Sequence, residues 1–318
     1  MIQPPITTKF LQLDSFEPDQ LLEAVQGARL EHYILSGCRC SARLAHWKCG
    51  GLSVDQGSYD FPVRILGAMP RQAICVAYLR KVTQSSWVNG LTVDDSTIEY
   101  YPPYTELNYR AGPGTEWVVI ECEEEALQDV ARRELGRDLD LPKHVVSFSD
   151  SETCRVELDR MVQLLWSDPL SGTLMIEPLL GGVARVLDAR RRASHSVLSS
   201  AARKRTVMLE QADAYLRANI ENPFDLGGLV SALGVNARTL QREFVGKYGV
   251  TPQEWARCLA LYKARKRLRT SDGKRLTVEA IAHECGFRHM GRFASYYLEL
   301  FGERPSETLR AVHAARKS

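Results

Sequence analysis

The chain has 318 residues, which is more than one ordinary hydrophobic core needs and enough for two domains. A hydrophobic fraction of 44% and a charged fraction of 25% are typical of a soluble globular protein and exclude a fibrous or disordered one. No segment approaches the roughly 18 apolar residues of a membrane span, and residues 1–14 lack the pattern of a signal peptide, so we expect a cytoplasmic protein without membrane contact.

The net charge of +2 conceals an uneven distribution along the chain. Residues 201–318 contain 21 Lys and Arg against 12 Asp and Glu, which is a net charge of +9. Residues 1–200 contain 20 basic and 27 acidic side chains, which is a net charge of −7. The C-terminal part is therefore suited to contact with a polyanion, and the N-terminal part is not.

Residues 28–122 have the pattern of short strands separated by turns. Runs of β-branched, aromatic and other apolar residues occupy segments 63–66, 73–79 and 117–120. Asn89-Gly90 is a signal for a type I′ hairpin turn. This spacing predicts a β-sandwich or a small barrel.

The pattern becomes helical after these strands. Helices are predicted from residue 123 to 133 or 136, over 151–166 and over 171–192. The last two could belong to the core of the first domain or form a dimerisation face, and the sequence favours neither. Residues 194–205 are rich in Ser, Ala, Arg and Lys and are predicted to link a first domain, 1–193, to a second, 206–312.

Metal and cofactor chemistry is not expected in the first domain. Cys38, Cys40, His46 and Cys49 are ligand types, but their spacing matches no recognised zinc motif, so core thiols are the preferred interpretation. Before residue 144 the histidines are His32 and His46, without the H-x-H pair that a cupin metal enzyme would need. The eight scattered cysteines are expected to be reduced, and no enzymatic motif is present.

Two further features of the first domain have competing interpretations. Arg39 and Arg43 form an R-x-x-x-R pair that resembles half of the cyclic-dinucleotide signature of PilZ domains, and they could clamp a phosphorylated effector at the rim of a barrel. The companion half is missing, so a chance pair in an Arg-rich chain is the preferred interpretation. Trp47, Trp87 and Trp117 are interpreted as core residues rather than as an aromatic ligand site.

The second domain contains a first helix-turn-helix pattern over residues 226–248. Asp225 is predicted to cap a short helix that ends at Gly234, and Asn236 to cap a second helix from 237 to 248. The second helix would have to enter a major groove about 12 Å wide, so its outward side chains should bind bases and phosphates. These candidates are Asn236, Arg238, Thr239, Gln241, Arg242 and Lys247.

A second pattern of the same kind occupies residues 277–301. Thr277 is predicted to cap its first helix, Gly286 to make the turn, and Phe287 to fill the core. The second helix is predicted from about 289 to 301. Its candidate DNA-binding side chains are Arg288, His289, Arg292 and Tyr296.

A long helix predicted over residues 252–270 connects the two patterns. Its length of about 27 Å could hold two reading helices roughly 34 Å apart, which is one turn of DNA. Its basic side chains include Lys263 and Arg265, which are predicted, with Lys247, to bind phosphates.

Residues 209–310 resemble the C-terminal domain of the AraC/XylS family of bacterial transcription regulators. The resemblance rests on the A-L-G-V-N-x-R-T-L-Q-R-x-F run at 232–244, K-Y-G-V-T-P at 247–252 and I-A-H-E-C-G-F at 281–287, followed by Phe293, Tyr297 and Pro305. Departures from the pattern are Gly291, Arg304 and the absence of an aromatic residue after Pro305.

This resemblance implies an α+β chain with a cupin-like β-barrel domain, bearing a helical segment, before an all-α domain with two helix-turn-helix units. It implies a small-molecule effector or dimerisation role for the first domain, a homodimer, and contacts with promoter DNA and RNA polymerase. Activation is expected more than repression. A repressor, or an enzyme with a regulator-like tail, remains the alternative.

Overall fold

The computed structural model of the chain describes residues 5–14, 18–22, 24–35, 40–84, 86–149, 152–167, 172–190, 200–270 and 277–315. The chain divides into an N-terminal unit, Met1–His32 with Cys40–Val197, and a C-terminal unit, Tyr33–Arg39 with Leu198–Ser318. No helix within these ranges has both the length and the apolar character that a membrane crossing requires.

The described part of the N-terminal unit is built mainly from strands. Their bounds are β1 Ile6–Leu13, β2 Arg29–Ile34, β3 Ala42–Cys49, β4 Leu52–Tyr59, β5 Val63–Ala68, β6 Ile74–Lys81, β7 Ser86–Val88, β8 Leu91–Val93, β9 Thr97–Tyr101, β10 Glu106–Ala111, β11 Thr115–Cys122 and β12 Val146–Ser149. Short 3-10 helices cover Pro18–Leu21 and Thr173–Met175. The prediction of a β-rich first domain is confirmed.

The strands form two sheets rather than one closed barrel in the described part of the chain. The larger sheet has the order β1-β3-β4-β11-β6-β9-β12, and the smaller has the order β2-β5-β10-β7-β8. Asn89 and Gly90 turn between β7 and β8 with φ of 43° and 96°, as a type I′ hairpin requires. Of the two predicted arrangements, a sandwich and a small barrel, the described strands adopt the two-sheet one, and each sheet joins strands from distant parts of the sequence.

One face of the larger sheet packs against three helices, α1 Glu124–Leu135, α2 Glu152–Ser167 and α3 Ile176–Ala189. The side chains of Leu179, Val183 and Leu187 on α3 are at most 2% exposed and join Trp47 in this core. The structure thus assigns the buried face of α3 to the core of the unit, a choice that the sequence left open.

The opposite face of the larger sheet meets the smaller sheet. Strand β9 shows the alternation directly, because Ile98 and Tyr100 join the core beside the helices while Glu99 and Tyr101 line a cavity between the sheets. Trp117 of β11 lines the same cavity. The space between the sheets is therefore partly polar.

From residue 200 onwards the described part of the C-terminal unit is helical. The helices are α4 Ser200–Ala218, α5 Leu226–Leu233, α6 Ala237–Tyr248, α7 Pro252–Thr270, α8 Val278–Glu284, α9 Met290–Phe301 and α10 Pro305–Ala315. Residues 200–205 of the predicted linker lie in α4, because Ala, Arg and Lys are good helix formers, while 194–199 lie outside the described residues.

Candidate nucleic-acid interface

The first helix-turn-helix unit consists of α5 and α6. Leu229 of α5 and Leu240 and Phe244 of α6 are all fully buried. Gly234 ends α5 with a φ of 64°, a left-handed conformation that glycine adopts without strain. The Oδ1 of Asn236 accepts a hydrogen bond from the amide of Thr239 at 2.7 Å, which caps α6 as predicted.

Asp225 differs from its prediction as the cap of α5. It occupies the N-cap position with extended backbone angles, but its carboxylate makes no capping hydrogen bond. Its oxygens instead lie beside Gly228, where an added Cβ would be 2.5 Å from Oδ2 and 2.9 Å from the hydroxyl of Tyr215. The glycine that weakens the helix therefore makes room for this carboxylate.

The second helix-turn-helix unit consists of α8 and α9. The Oγ1 of Thr277 accepts a hydrogen bond from the amide of Ala280 at 3.1 Å, as predicted for the cap. Ile281, Phe293 and Tyr297 form its buried side. Gly286 is required at the turn, because its φ is 80° and a Cβ would lie 2.8 Å from the carbonyl oxygen of Asn222.

Most side chains predicted to read DNA lie on exposed faces of these units. The exposed ones are Asn236, Arg238, Gln241, Arg242, Arg288, His289 and Arg292. Thr239 and Tyr296 are half-buried, and the guanidinium of Arg242 also donates to Glu243 at 2.8 Å. The two reading helices thus combine a buried apolar side with an exposed side of donors.

The three cations predicted to bind phosphates have different surroundings. Lys263 is half-buried and donates to Glu221 at 2.6 Å. Lys247 is also half-buried, and burial, assisted by the nearby Arg205, lowers its pKa to about 8. It therefore keeps most of its charge at neutral pH.

Arg265 is placed where a phosphate contact is unfavourable. Its side chain is only 6% exposed and forms an ion pair with Glu303 at 3.1 Å. The guanidinium also lies over the ring of Phe301, 4.5 Å from its centroid. This correction follows from the packing of α7 against α9 and α10, which the basic composition of α7 did not indicate.

A cleft of about 550 Å³ lies within the C-terminal unit, between α7 and α9. Its polar lining includes Gln253, Arg257, Arg288, His289, Arg292 and Tyr296. The guanidinium of Arg257 stacks over the ring of Tyr296 at 4.2 Å. Arg257 and Gln253 were not among the predicted DNA-binding residues. The signal available in the sequence was their i, i+4 spacing, which places both on one face of α7.

The structure describes Arg43, Cys40, His46 and Cys49 of the candidate effector and metal residues. Arg39 and Cys38 lie outside the described residues, and Arg43 is an exposed residue of β3, paired in register with Gln12 and Ser58. His46 and Cys49 are three residues apart on β3 and so face opposite sides of the sheet.

His46 and Cys40 are both buried, and His46 has a hydrogen-bonding partner. The Nδ1 of His46 lies 2.6 Å from Oδ1 of Asp55, and Cys40 is buried. No group of three possible metal-ligating side chains occurs in the described part of the chain. Cys75, Cys122 and Cys285 are buried thiols rather than half-cystines.

Residues 229–311 match the family model described as a helix-turn-helix domain. A probable AraC family transcriptional regulator from Rhodopseudomonas palustris CGA009 is 34% identical over 33% of this chain and 97% of that chain, with a TM-score of 0.31. Residues 229–311 are thus a helix-turn-helix domain, and this part of the chain is similar in sequence to regulators named as AraC family.

Two curated relatives cover the same domain. The protein named "Probable thc operon regulatory protein" from Rhodococcus erythropolis is 39% identical over 31% of this chain and 30% of its own length. The "HTH-type transcriptional activator RhaS" of Pectobacterium atrosepticum is 33% identical over 29% of this chain and 32% of its own length. The chain thus spans about a third of the length of these relatives.

Proposed function

We propose that this chain is a sequence-specific DNA-binding transcription regulator, which inserts α6 and α9 into successive major grooves of promoter DNA. The observation that carries the proposal is that both helix-turn-helix units have the same arrangement of buried and basic side chains. In both units a helix is held on one side by a buried core and offers exposed arginines, Arg238 and Arg242 in α6 and Arg292 in α9, on the other.

The phosphates between the two grooves are held by cations outside the reading faces. Lys247, Lys263 and the stacked Arg257 serve this purpose, whereas Arg265 supports the fold. The net charge of +9 on residues 201–318 draws the unit to DNA before any base is read.

The regulator acts as an activator that contacts RNA polymerase and works as a homodimer, with a small-molecule effector bound by the N-terminal unit. Support for activation comes from the relatives, one of which is named a transcriptional activator. Those relatives are named as regulators, so we propose no catalytic activity for this chain.

A mobility-shift experiment with the full chain tests the proposal. The duplex is the region upstream of the chain's own gene, and a scrambled duplex of equal length is the competitor. We expect a shifted band that the scrambled duplex displaces at least about 10³-fold less effectively than the specific one. Equal displacement by both duplexes would contradict sequence-specific binding.

A further inference from the structure

A cavity of about 60 Å³ lies between the two sheets of the N-terminal unit. Most of its lining is aliphatic, including Leu30 and Ile65 on one side and Val119 on the other. Glu99 also lines it, and among the described lining residues there is no basic side chain to neutralise this carboxyl group. An acidic group thus faces a small apolar space.

Glu99 is buried, and one of its two carboxyl oxygens has no hydrogen-bond partner among the described residues. The residue is only 1% exposed, and its Oε2 accepts a hydrogen bond from the hydroxyl of Tyr101. Its Oε1 has no hydrogen-bond partner among the described residues. A carboxylate in such a place is costly unless a cation or a donor reaches it, and burial raises the pKa of Glu99 to about 7.

Aromatic rings surround the same space. Tyr59, Tyr101, Tyr109 and Trp117 all line the cavity, and the ring centroids of Tyr59 and Trp117 are 6.0 Å apart. Aromatic faces attract organic cations through their quadrupoles, and they do so most strongly where water is excluded. Rings combined with one unpaired carboxyl oxygen are suited to a cation with a hydrocarbon body.

We propose that this cavity binds a compact organic ammonium ion, whose N–H group donates to Oε1 of Glu99 and whose carbon atoms contact the aromatic and aliphatic lining. The cavity volume suits a linear alkylamine of few carbon atoms. This ligand has the opposite charge to the phosphorylated effector considered for Arg39 and Arg43. The role of this ligand as the effector of a regulator rests on the proposed function, but the binding itself does not.

The binding has a defined dependence on pH. Titratable groups around Glu99 are the hydroxyls of Tyr59, Tyr101 and Tyr109 and, on the same face of the larger sheet, the thiol of Cys75, the carboxyl group of Glu121 and the paired side chains of Asp55 and His46. Burial raises the pKa of the three hydroxyls, of the thiol and of Glu121, so these five stay neutral up to pH 8, and alkylamines stay protonated. Affinity therefore rises with pH as Glu99 ionises, by up to about tenfold per unit below pH 7, and levels off above it.

Calorimetry with the full chain tests the proposal. The probes are the linear amines from ethylamine to n-hexylamine, with the alcohol of each length as a control. We expect one amine to bind at a 1:1 ratio, its alcohol to bind at least about tenfold more weakly, and Glu99→Gln to lose about tenfold in affinity for that amine. The matched variant Glu106→Gln, on the exposed side of β10, keeps the wild-type affinity.

The proposal fails if no amine of the series binds the folded wild type, if the alcohols bind as well, or if Glu99→Gln binds unchanged. Should Glu99→Gln not fold, the wild-type pH profile decides, and an affinity that is flat from pH 5 to 8 overturns the proposal. A parallel mobility shift without amine separates the two claims. DNA binding without amine binding refutes the ligand alone, and amine binding without DNA binding refutes the proposed function alone.

Discussion

Arg265 and Arg288 carry the same guanidinium group in opposite surroundings. Arg265 is buried against Glu303 and Phe301, and Arg288 is exposed beside the N-terminus of α9. The sequence identifies both as basic residues of a DNA-binding domain. It does not show that one of them is enclosed, since the acidic partner lies 38 positions away.

Replacing Arg265 by Met should destabilise the fold more than it weakens DNA binding. The change leaves Glu303 partly buried without its cation, so we expect a loss of about 2–3 kcal/mol in the free energy of unfolding. Urea denaturation measures it. Arg288→Ala is the control, with unfolding within about 0.5 kcal/mol of wild type. If the Arg265→Met variant is as stable as the wild type but binds DNA more weakly, Arg265 contacts DNA and the prediction is wrong.

The exposed arginines of the reading helices should act on particular base pairs. We expect Arg238→Ala and Arg292→Ala each to lose roughly 1–3 kcal/mol of binding free energy at one or two positions of the operator, because a bidentate contact to a base edge is removed. Binding to a set of single-base operator variants measures this. If each variant instead weakens binding to all sequences equally, the arginine contacts a phosphate.

Glu99 should make stability depend on pH. Its pKa is about 7 in the folded protein against an ordinary value of 4.5, so the folded state keeps a proton that the unfolded chain has lost. Stability falls as pH rises between these values, by roughly 2–3 kcal/mol from pH 5 to pH 8. Urea unfolding of the wild type and Glu99→Gln at both pH values isolates this contribution. Parallel behaviour of the two proteins would show that Glu99 is not responsible.

At the scale of elements, the helices of the two helix-turn-helix units and the long helix between them were predicted closely, whereas the start of α4 was assigned to a linker and α10 was not predicted. The predicted and observed bounds of α6 and α7 agree within a residue, because Asn236, Thr251 and Gly249 are local signals at their ends. Oε2 of Glu254 accepts from the amide of Thr251 at 2.7 Å, which completes a capping box. Signals of this kind act over a few residues and are readable in a sequence.

The strand arrangement could not be predicted in the same way. Strand β11 lies between β4 and β6, and β12 reaches the edge of the larger sheet beside β9. Such pairings join residues far apart in the chain, and alternation fixes which face is buried without fixing the neighbour. The cavity could not be predicted for the same reason. In the sequence Glu99 is simply a charged residue of a strand, and only the pairing of the sheets shows that the smaller sheet covers it.

The caps of the two helix-turn-helix units allow a matched test. Thr277→Ala removes the hydrogen bond to the amide of Ala280 and should cost about 1 kcal/mol of stability. Asp225→Ala, at the equivalent position of α5, removes no capping hydrogen bond and should cost clearly less. Thermal unfolding of both variants measures the difference. A larger loss for Asp225→Ala would mean that its contact beside Gly228 stabilises α5 more than a cap does.

At the scale of the whole molecule, the N-terminal and C-terminal parts of the chain differ in the sign of their net charge. The acidic N-terminal part encloses a cavity with a carboxyl group, and the basic C-terminal part carries the two helix-turn-helix units. The family match covers residues 229–311, within the basic part. The proposed regulation therefore depends on contact between this basic part and the phosphates of DNA.

The dependence of operator affinity on salt tests this claim most directly. Each phosphate that a lysine or arginine neutralises releases counterions, so the logarithm of the association constant falls linearly with the logarithm of the salt concentration. For about six such contacts, we predict a loss of roughly 10³-fold between 50 and 200 mM salt, measured with the full chain on its selected duplex. An affinity that hardly changes across this range would contradict insertion of α6 and α9 into DNA.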